Sequence, residues 1–287
     1  MRSDPSVHGR LRTVALPDGE TVPALGQGTW NMAERPDRRN DEIAALRIGV
    51  DLGMTVIDTA EMYGRGAAEA LVGEALGNRR PEIFLVSKVL PHHATRRGTV
   101  SACEASLRRL KTDHLDLYLL HWREGVPLDE TIEAFEMLKQ AGKIRRWGVS
   151  NFDVADLEDA DSLSNARRMA TNQVLYNLKR RGIEFDVLPW CHERGIPIMA
   201  YSPLEQGQLV EHRTVMSIAR RLEATPAQIA LAWILRREAV IAIPKSSSPN
   251  RVRENRGALD IELGDDDLQV LEKAFPPPRG KVPLQMI

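Results

Sequence analysis

The feature that most constrains the fold of this 287-residue chain is a regular alternation of short apolar segments with helical patterns. The short segments are rich in β-branched residues, which is typical of strands buried on both faces of a parallel sheet. Eight such strands are predicted, at 25–29, 55–58, 83–88, 115–121, 146–150, 170–174, 196–201 and 240–244.

Helical patterns separate these strands. Apolar residues recur at helical spacing over 41–52, 99–110, 129–141 and 226–237, and a further helix begins at the acidic run 265–267. Eight strands alternating with helices favour an α/β (β/α)8 barrel, the TIM barrel, over an open doubly wound sheet. An open dinucleotide-binding sheet is expected to carry GxGxxG, and the glycine pairs at Gly26 and Gly64 both lack the third glycine.

The chain begins with a predicted β-hairpin, residues 11–16 and 21–25 around an Asp18-Gly19 turn. One barrel with this hairpin accounts for the whole chain, so residues 1–287 are expected to form a single domain. The start has no apolar targeting segment, and no stretch of about 18 apolar residues follows. We therefore expect a cytoplasmic protein that does not enter membranes.

Charge and cysteine content exclude several function classes. The 39 Lys and Arg residues balance 40 Asp and Glu, and a net charge of −1 argues against nucleic-acid binding. The two cysteines, Cys103 and Cys191, belong to no CxxC pair, which excludes a disulfide framework. The sequence contains no histidine–carboxylate motif of the kind that binds a metal ion.

Polar residues end nearly every predicted strand. In a (β/α)8 barrel the carboxyl ends of the strands build the active site, so these side chains are expected to converge on one pocket. They are Asp58, Lys88, His121, Ser150 with Asn151, Asn172 with Gln173, Tyr201 with Ser202, and Lys245 with Ser246.

Four residues predict the chemistry of this pocket. Asp58 and Lys88 are expected to pair on adjacent strands, and the Lys88 ammonium to lower the pKa of Tyr63 below about 10. Tyr63 can then protonate a carbonyl oxygen, to which His121 donates a hydrogen bond. Protonation is half of a reduction, so a hydride donor is expected as well.

The last strand offers a site for such a donor. Residues 245–248 combine hydroxyl groups with the start of a helix, an arrangement that binds anions, and Lys245 and Arg251 are expected to face one another across it. Tyr201 is expected to lie flat against a planar ring whose carboxamide Asn151 and Gln173 hold.

Several motifs together resemble the aldo-keto reductases, over nearly the whole chain. They are Asp58-Thr-Ala-Glu-Met-Tyr63-Gly, Lys88, Leu119-Leu-His121-Trp, Gly148-Val-Ser-Asn151-Phe, Asn172-Gln173, Tyr201-Ser-Pro-Leu204 and Ile243-Pro-Lys245-Ser. The chain is most similar to the bacterial branch that includes reductases of methylglyoxal and other small aldehydes. The resemblance implies a barrel whose bottom is plugged by the hairpin, with NADPH bound extended across its mouth.

The resemblance also implies residue roles. Tyr63 would be the general acid/base, assisted by Lys88 and Asp58, with His121 orienting the carbonyl. The implied cofactor contacts, from nicotinamide to adenine, are Gly28, Thr29, Trp30, Asp58, Ser150, Asn151, Gln173, Tyr201, Ser202, Pro203, Leu204, Gln206, Ile243, Lys245, Ser246, Arg251, Glu254 and Asn255. The expected apolar walls of the substrate pocket are Trp30, Met62 and Trp122.

The expected function is NADPH-dependent reduction of small or varied aldehydes and ketones to alcohols, by a monomer or weak oligomer. A short segment after Leu204 and a short tail after Pro278 predict a looser hold on the cofactor and an open substrate site. Two alternatives stay open. One is a non-catalytic barrel subunit that senses the cofactor, and the other is a Schiff-base aldolase using Lys88, which pairing with Asp58 disfavours.

Overall fold

A computed structural model describes residues 12–163 and 169–287. The described chain opens with a hairpin, in which β1 (Thr13–Ala15) pairs antiparallel with β2 (Thr21–Pro23). Gly19 in the connecting turn has φ +89°, a left-handed conformation that favours glycine, as the Asp-Gly pattern predicts. Leu11, the first residue of the predicted hairpin, lies outside the described residues.

Eight parallel strands follow the hairpin. They are β3 (Gln27–Gly28), β4 (Val56–Asp58), β5 (Phe84–Val89), β6 (Leu115–Leu120), β7 (Ile144–Ser150), β8 (Asn172–Leu175), β9 (Ile198–Tyr201) and β10 (Val240–Ala242). Each pairs with the next in chain order. Bridges from Leu25 to Ala242 and from Gly28 to Lys245 join the first strand to the last. The predicted (β/α)8 barrel is therefore confirmed.

Ten α-helices accompany the strands in the described residues. They are α1 (Arg39–Asp51), α2 (Ala67–Leu76), α3 (Arg96–Leu110), α4 (Leu128–Gln140), α5 (Val154–Ser162), α6 (Val187–Glu193), α7 (Arg213–Arg221), α8 (Pro226–Leu235), α9 (Pro249–Arg256) and α10 (Asp265–Ala274). The sequence patterns did not predict α2, α5 and α6. The first is apolar on most sides, and the other two are only nine and seven residues long, so none shows a clear apolar stripe. No α-helix among them is long and apolar enough to cross a bilayer.

The main core lies between the strands and the surrounding helices. Trp147 of β7 stacks on Phe135 of α4 with ring centroids 5.8 Å apart, and Tyr118 of β6 meets the same phenyl ring edge-on. All three side chains are buried. Burial of this kind of aromatic surface stabilises the barrel and holds the strand ends in place.

The hairpin covers the amino-terminal end of the barrel. Arg146, near the start of β7, pairs with Asp18 and Glu20 of the hairpin turn, each at 2.5 Å. Val14 and Val22 of the two hairpin strands are buried. The carboxyl ends of the strands stay open at the opposite end, where the predicted site residues lie.

Candidate active site

Lys88 organises the polar residues at the ends of β4 and β5. Its ammonium donates to the Asp58 carboxylate at 2.8 Å, to the Thr59 carbonyl at 2.9 Å and to the Tyr63 hydroxyl at 3.2 Å. Lys88 and Asp58 are both buried. The predicted pair is therefore present, and the three ammonium protons each have an acceptor.

Tyr63 lies in a short helical turn, Tyr63–Gly66, that follows β4. An ammonium can only donate, so the Tyr63 oxygen accepts from Lys88 and keeps its own proton for another acceptor. Within residues 12–163 and 169–287 no group accepts that proton. The half-buried hydroxyl is thus arranged to donate to a molecule in the cavity.

His121 follows β6 directly, with its ring edge-on to the Tyr63 ring at 5.9 Å between centroids. Its Nδ1 atom is buried and has no hydrogen-bond partner in the part of the chain that the structure describes. Burial, together with the charge of Lys88, lowers the pKa of His121 to about 2. The imidazole is therefore neutral at physiological pH and can donate one N–H without becoming charged.

The next strand ends bring amides toward the same point. Asn151, after β7, accepts a hydrogen bond from the Tyr201 hydroxyl at 3.0 Å and donates to the His121 carbonyl at 3.1 Å. Gln173 of β8 donates to Asp58 Oδ1 at 2.8 Å. Tyr201, which is predicted to face a planar ring, is therefore linked through Asn151 to the ends of β6 and β7.

A cavity of about 1280 Å³ opens at the carboxyl end of the barrel. The predicted site residues that line it are Gly28, Thr29, Trp30, Asp58, Met62, Tyr63, His121, Trp122, Ser150, Asn151, Gln173, Tyr201, Ser202, Pro203, Leu204, Gln206, Ile243, Lys245, Ser246, Arg251, Glu254 and Asn255. Lys88 and Asn172 are the predicted strand-end residues outside this lining. The Lys88 ammonium lies behind Asp58 and Tyr63, and the Asn172 side chain donates to the Phe152 carbonyl at 2.9 Å instead of entering the cavity.

The loop after β10 carries the cationic part of the cavity. Lys245 is exposed at the cavity surface, but partial loss of solvent around its ammonium lowers its pKa, and the nearby carboxylate of Glu42 partly offsets that effect. Ser246 Oγ accepts from the Ser248 amide at 3.1 Å, so the hydroxyl-rich turn leads into α9. Arg251 of α9 lines the same cavity. A group carrying several negative charges fits this arrangement.

Comparison with known protein families identifies the family to which the chain belongs. The model of the "Aldo/keto reductase family" matches residues 24–275, which includes the whole barrel. The chain belongs to the aldo/keto reductase family. The resemblance drawn from the sequence motifs is therefore confirmed.

Curated relatives of this reductase are similar over most of their length. "Methylglyoxal reductase YeaE" of Escherichia coli (strain K12) is 50% identical over 272 residues, 93% of this chain and 96% of that protein. "Glyoxal reductase" of Bacillus subtilis (strain 168) is 34% identical, with 91% of each chain covered. These relatives confirm the predicted similarity to the bacterial branch.

Solved structures agree with the fold of this reductase. An aldo/keto reductase from Klebsiella pneumoniae in complex with NADP and acetate has a TM-score of 0.94 and 49% identity, over 96% of this chain and 99% of that one. A Klebsiella pneumoniae aldo-keto reductase in complex with NADPH has a TM-score of 0.95 and 48% identity, over 97% and 100%.

One electrostatic prediction for this reductase is wrong. Lys88 was expected to lower the pKa of Tyr63, but burial of the phenol raises that pKa above its usual value. Lys88 does act in the lowering direction, yet the Asp58 carboxylate raises the pKa again. Tyr63 therefore stays protonated at neutral pH, the form that a proton donor needs.

The pKa of Lys88 bears on the aldolase alternative. Burial alone would lower that pKa, but Asp58 and Tyr63 outweigh burial and raise it above its usual value. A lysine that stays charged is not a nucleophile, so this geometry disfavours Schiff-base chemistry at Lys88.

Some residues at the cavity were not predicted. Glu42 of α1 accepts from the Ala33 amide at 2.9 Å and from Ser247 Oγ at 3.0 Å, and so joins the loops after β3 and β10. Met286 and Ile287 also line the cavity, although the short tail was expected to leave the site open. Glu42 lies within a helix, and Met286 and Ile287 lie in the tail. Because none of them ends a strand, the pattern of polar residues at strand ends does not identify them.

Proposed function

We propose that this reductase transfers hydride from NADPH to small aldehydes and ketones and so forms alcohols. One observation carries the proposal. The same cavity holds Tyr63, with a proton to donate beside Lys88, and the cationic residues Lys245 and Arg251. The names of the relatives, methylglyoxal reductase and glyoxal reductase, support small carbonyl substrates. The NADP and NADPH complexes of similar structures support the cofactor.

The residues present fit NADPH. Lys245, Arg251 and the Ser246 hydroxyl would hold the 2′-phosphate, because cations and hydroxyl donors at a helix start suit a phosphate. Tyr201 would lie against the nicotinamide, with Asn151 near the carboxamide. Bound NADPH supplies the hydride that the carbonyl carbon receives.

The chain's own residues would handle the proton. Tyr63 donates its O–H to the carbonyl oxygen, and the neutral His121 donates a second hydrogen bond that orients the same oxygen. Lys88 already donates to the Tyr63 oxygen and would stabilise the phenolate left after transfer. Asp58 keeps Lys88 charged throughout.

The substrate end of the cavity favours compact carbonyl compounds. Trp30 and Met62 are partly exposed in its wall, and the Trp122 ring lies 4.9 Å from the His121 ring. These apolar surfaces would exclude water from the reacting carbonyl while leaving few polar groups to select among substrates. We infer a preference for small aldehydes and dicarbonyls over large polar ones.

We further propose that residues 1–287 form a single domain that works in the cytoplasm as a monomer or weak oligomer. A small-molecule carbonyl compound would be its partner, and not a nucleic acid. The balanced charge of −1 and the family match over residues 24–275 support this assignment.

The test is Tyr63→Phe, assayed by NADPH oxidation with a panel of aldehydes, dicarbonyls and sugars. Because the variant lacks the transferable proton, we expect turnover with good aldehydes to fall by about a hundredfold or more, with NADPH binding retained. Turnover near the wild-type rate would refute the mechanism. Wild-type protein that binds NADPH but reduces no carbonyl would favour the cofactor-sensing alternative.

A further inference from the structure

The segment from Ser202 to Gln208 has an unusual backbone. Ser202, Glu205 and Gln206 have φ values of +47°, +48° and +53°, and Gly207 follows at +94°. A non-glycine residue in the left-handed region costs about 1 kcal/mol or more, so contacts elsewhere in the molecule must hold this shape. Residues of the segment line the cavity directly after Tyr201.

Asn177, in the loop after β8, supplies several of these contacts. Its Nδ2 donates to the Ser202 carbonyl at 2.9 Å and to Glu205 Oε2 at 2.8 Å. Its Oδ1 accepts from the backbone amides of Lys179 at 2.9 Å and Arg180 at 3.1 Å. Asn177 is completely buried, and both ends of its amide are engaged.

Glu205 completes the connection. It is buried, and its Oε1 accepts from Arg180 Nε at 2.7 Å while Oε2 accepts from Asn177. Leu204 and Gln206 line the cavity, but Glu205, Asn177 and Arg180 do not. The carboxylate therefore points away from the ligand space and fixes the segment from behind.

The proposed function places the nicotinamide at Tyr201 and the 2′-phosphate at Lys245, so the segment that follows Tyr201 in the same cavity lining would face the diphosphate that joins the two halves of the dinucleotide. We propose that Asn177 and Glu205 are positioning residues that hold the segment Ser202–Gln208 in the shape that receives this diphosphate. This inference rests on the proposed function, because the ligand is the cofactor proposed there. The diphosphate is common to NADPH and NADH. A loosened segment therefore weakens both cofactors equally, unlike a change at the 2′-phosphate site.

The main test is Asn177→Ala. Cofactor binding is measured by quenching of tryptophan fluorescence, and steady-state kinetics are measured with a good aldehyde. We expect the Kd and KM for both NADPH and NADH to rise by about tenfold, the effect of losing hydrogen bonds to a carbonyl and a charged group. At saturating cofactor, kcat and its pH profile stay as in the wild type, because Tyr63 and Lys88 are untouched.

Lys179→Ala is the matched control in the same loop. Lys179 is exposed, and its side chain reaches the segment only through Gln208 Oε1, at 2.8 Å. Such an exposed contact contributes little, so both Kd values should change by less than about twofold. Glu205→Gln keeps the side-chain size and weakens the Arg180 contact. Glu205→Gln should therefore raise the Kd values for NADPH and NADH by about threefold, and this variant tests the proposal if Asn177→Ala does not fold.

Unchanged Kd values in Asn177→Ala and Glu205→Gln would overturn the inference. A loss confined to NADPH, or a fall in kcat with unchanged Kd, would overturn it as well. Failure of the proposed function looks different, because wild-type protein would then bind no NADPH or reduce no carbonyl. If the wild-type protein binds NADPH and reduces carbonyl compounds while the variants keep the wild-type Kd values, only the positioning role of Asn177 and Glu205 is rejected.

Discussion

The side chain of Gln173 reaches across the barrel from β8 and donates to Asp58 Oδ1 at the end of β4, at 2.8 Å. The same carboxylate accepts from Lys88, so one buried anion joins groups from three strands. Gln173 was predicted only as a contact of the cofactor carboxamide. The structure adds a contact to the acid that keeps Lys88 charged.

Gln173→Leu should therefore destabilise the protein even without cofactor. The change leaves a buried carboxylate short of one donor, which costs about 1–3 kcal/mol in the free energy of unfolding. Urea unfolding measures the loss. Gln208→Leu, at an exposed amide, is the control and should change that free energy by less than about 0.5 kcal/mol. Equal stability of wild type and Gln173→Leu would show that the Asp58 contact contributes nothing.

Lys88→Met should separate stability from catalysis. The variant leaves the Asp58 carboxylate buried without its cation, so the free energy of unfolding should fall by about 3–5 kcal/mol. Adding Asp58→Asn removes the unpaired charge and should recover part of the stability. Reductase activity should stay low in both variants, since neither has an ammonium beside Tyr63. A double variant no more stable than the single one contradicts the charge-pair explanation.

The lowered pKa of His121 should make the free energy of unfolding depend on pH. The pKa of His121 is about 2 in the folded protein, whereas its ordinary value is near 6.5. Between these two pH values the imidazole therefore binds a proton in the unfolded state but not in the folded state. This contribution to stability is complete above about pH 6.5 and falls by about 1.4 kcal/mol per pH unit below it.

The measurement compares unfolding free energies of wild type and His121→Asn at about pH 7 and about pH 5. Wild type should lose about 2 kcal/mol more than the variant, because other acid-sensitive groups are common to both. Parallel losses would mean that His121 titrates normally in the folded protein.

Arg251→Ala should discriminate between the two nicotinamide cofactors. A guanidinium that contacts the 2′-phosphate contributes to NADPH binding alone, so the Kd for NADPH should rise by about tenfold or more. The Kd for NADH should stay within about twofold of wild type. Arg253→Ala is the control, since Arg253 lies on α9 but is exposed and outside the cavity lining. Equal weakening of both cofactors by Arg251→Ala would remove the 2′-phosphate assignment.

The hydrophobic periodicity of the chain was sufficient to predict the barrel and its strand ends. Because parallel strands in a closed barrel end at one face, the sequence alone places residues as distant in the chain as Asp58 and Lys245 at the same end of the barrel. The motifs were specific enough to identify the family. Helices α2, α5 and α6 were not predicted, since burial on most sides or short length leaves no apolar stripe.

Other features depended on tertiary structure alone. Asn177 carries no motif of its own, and its contacts with Ser202 and Glu205 arise only when the loops after β8 and β9 meet. The pKa of Tyr63 shows the same limit. Its neighbours Lys88 and Asp58 could be foreseen, but the loss of solvent around the phenol could not. Periodicity is a local property that sequence records directly, whereas desolvation and contacts between distant segments exist only in the folded chain.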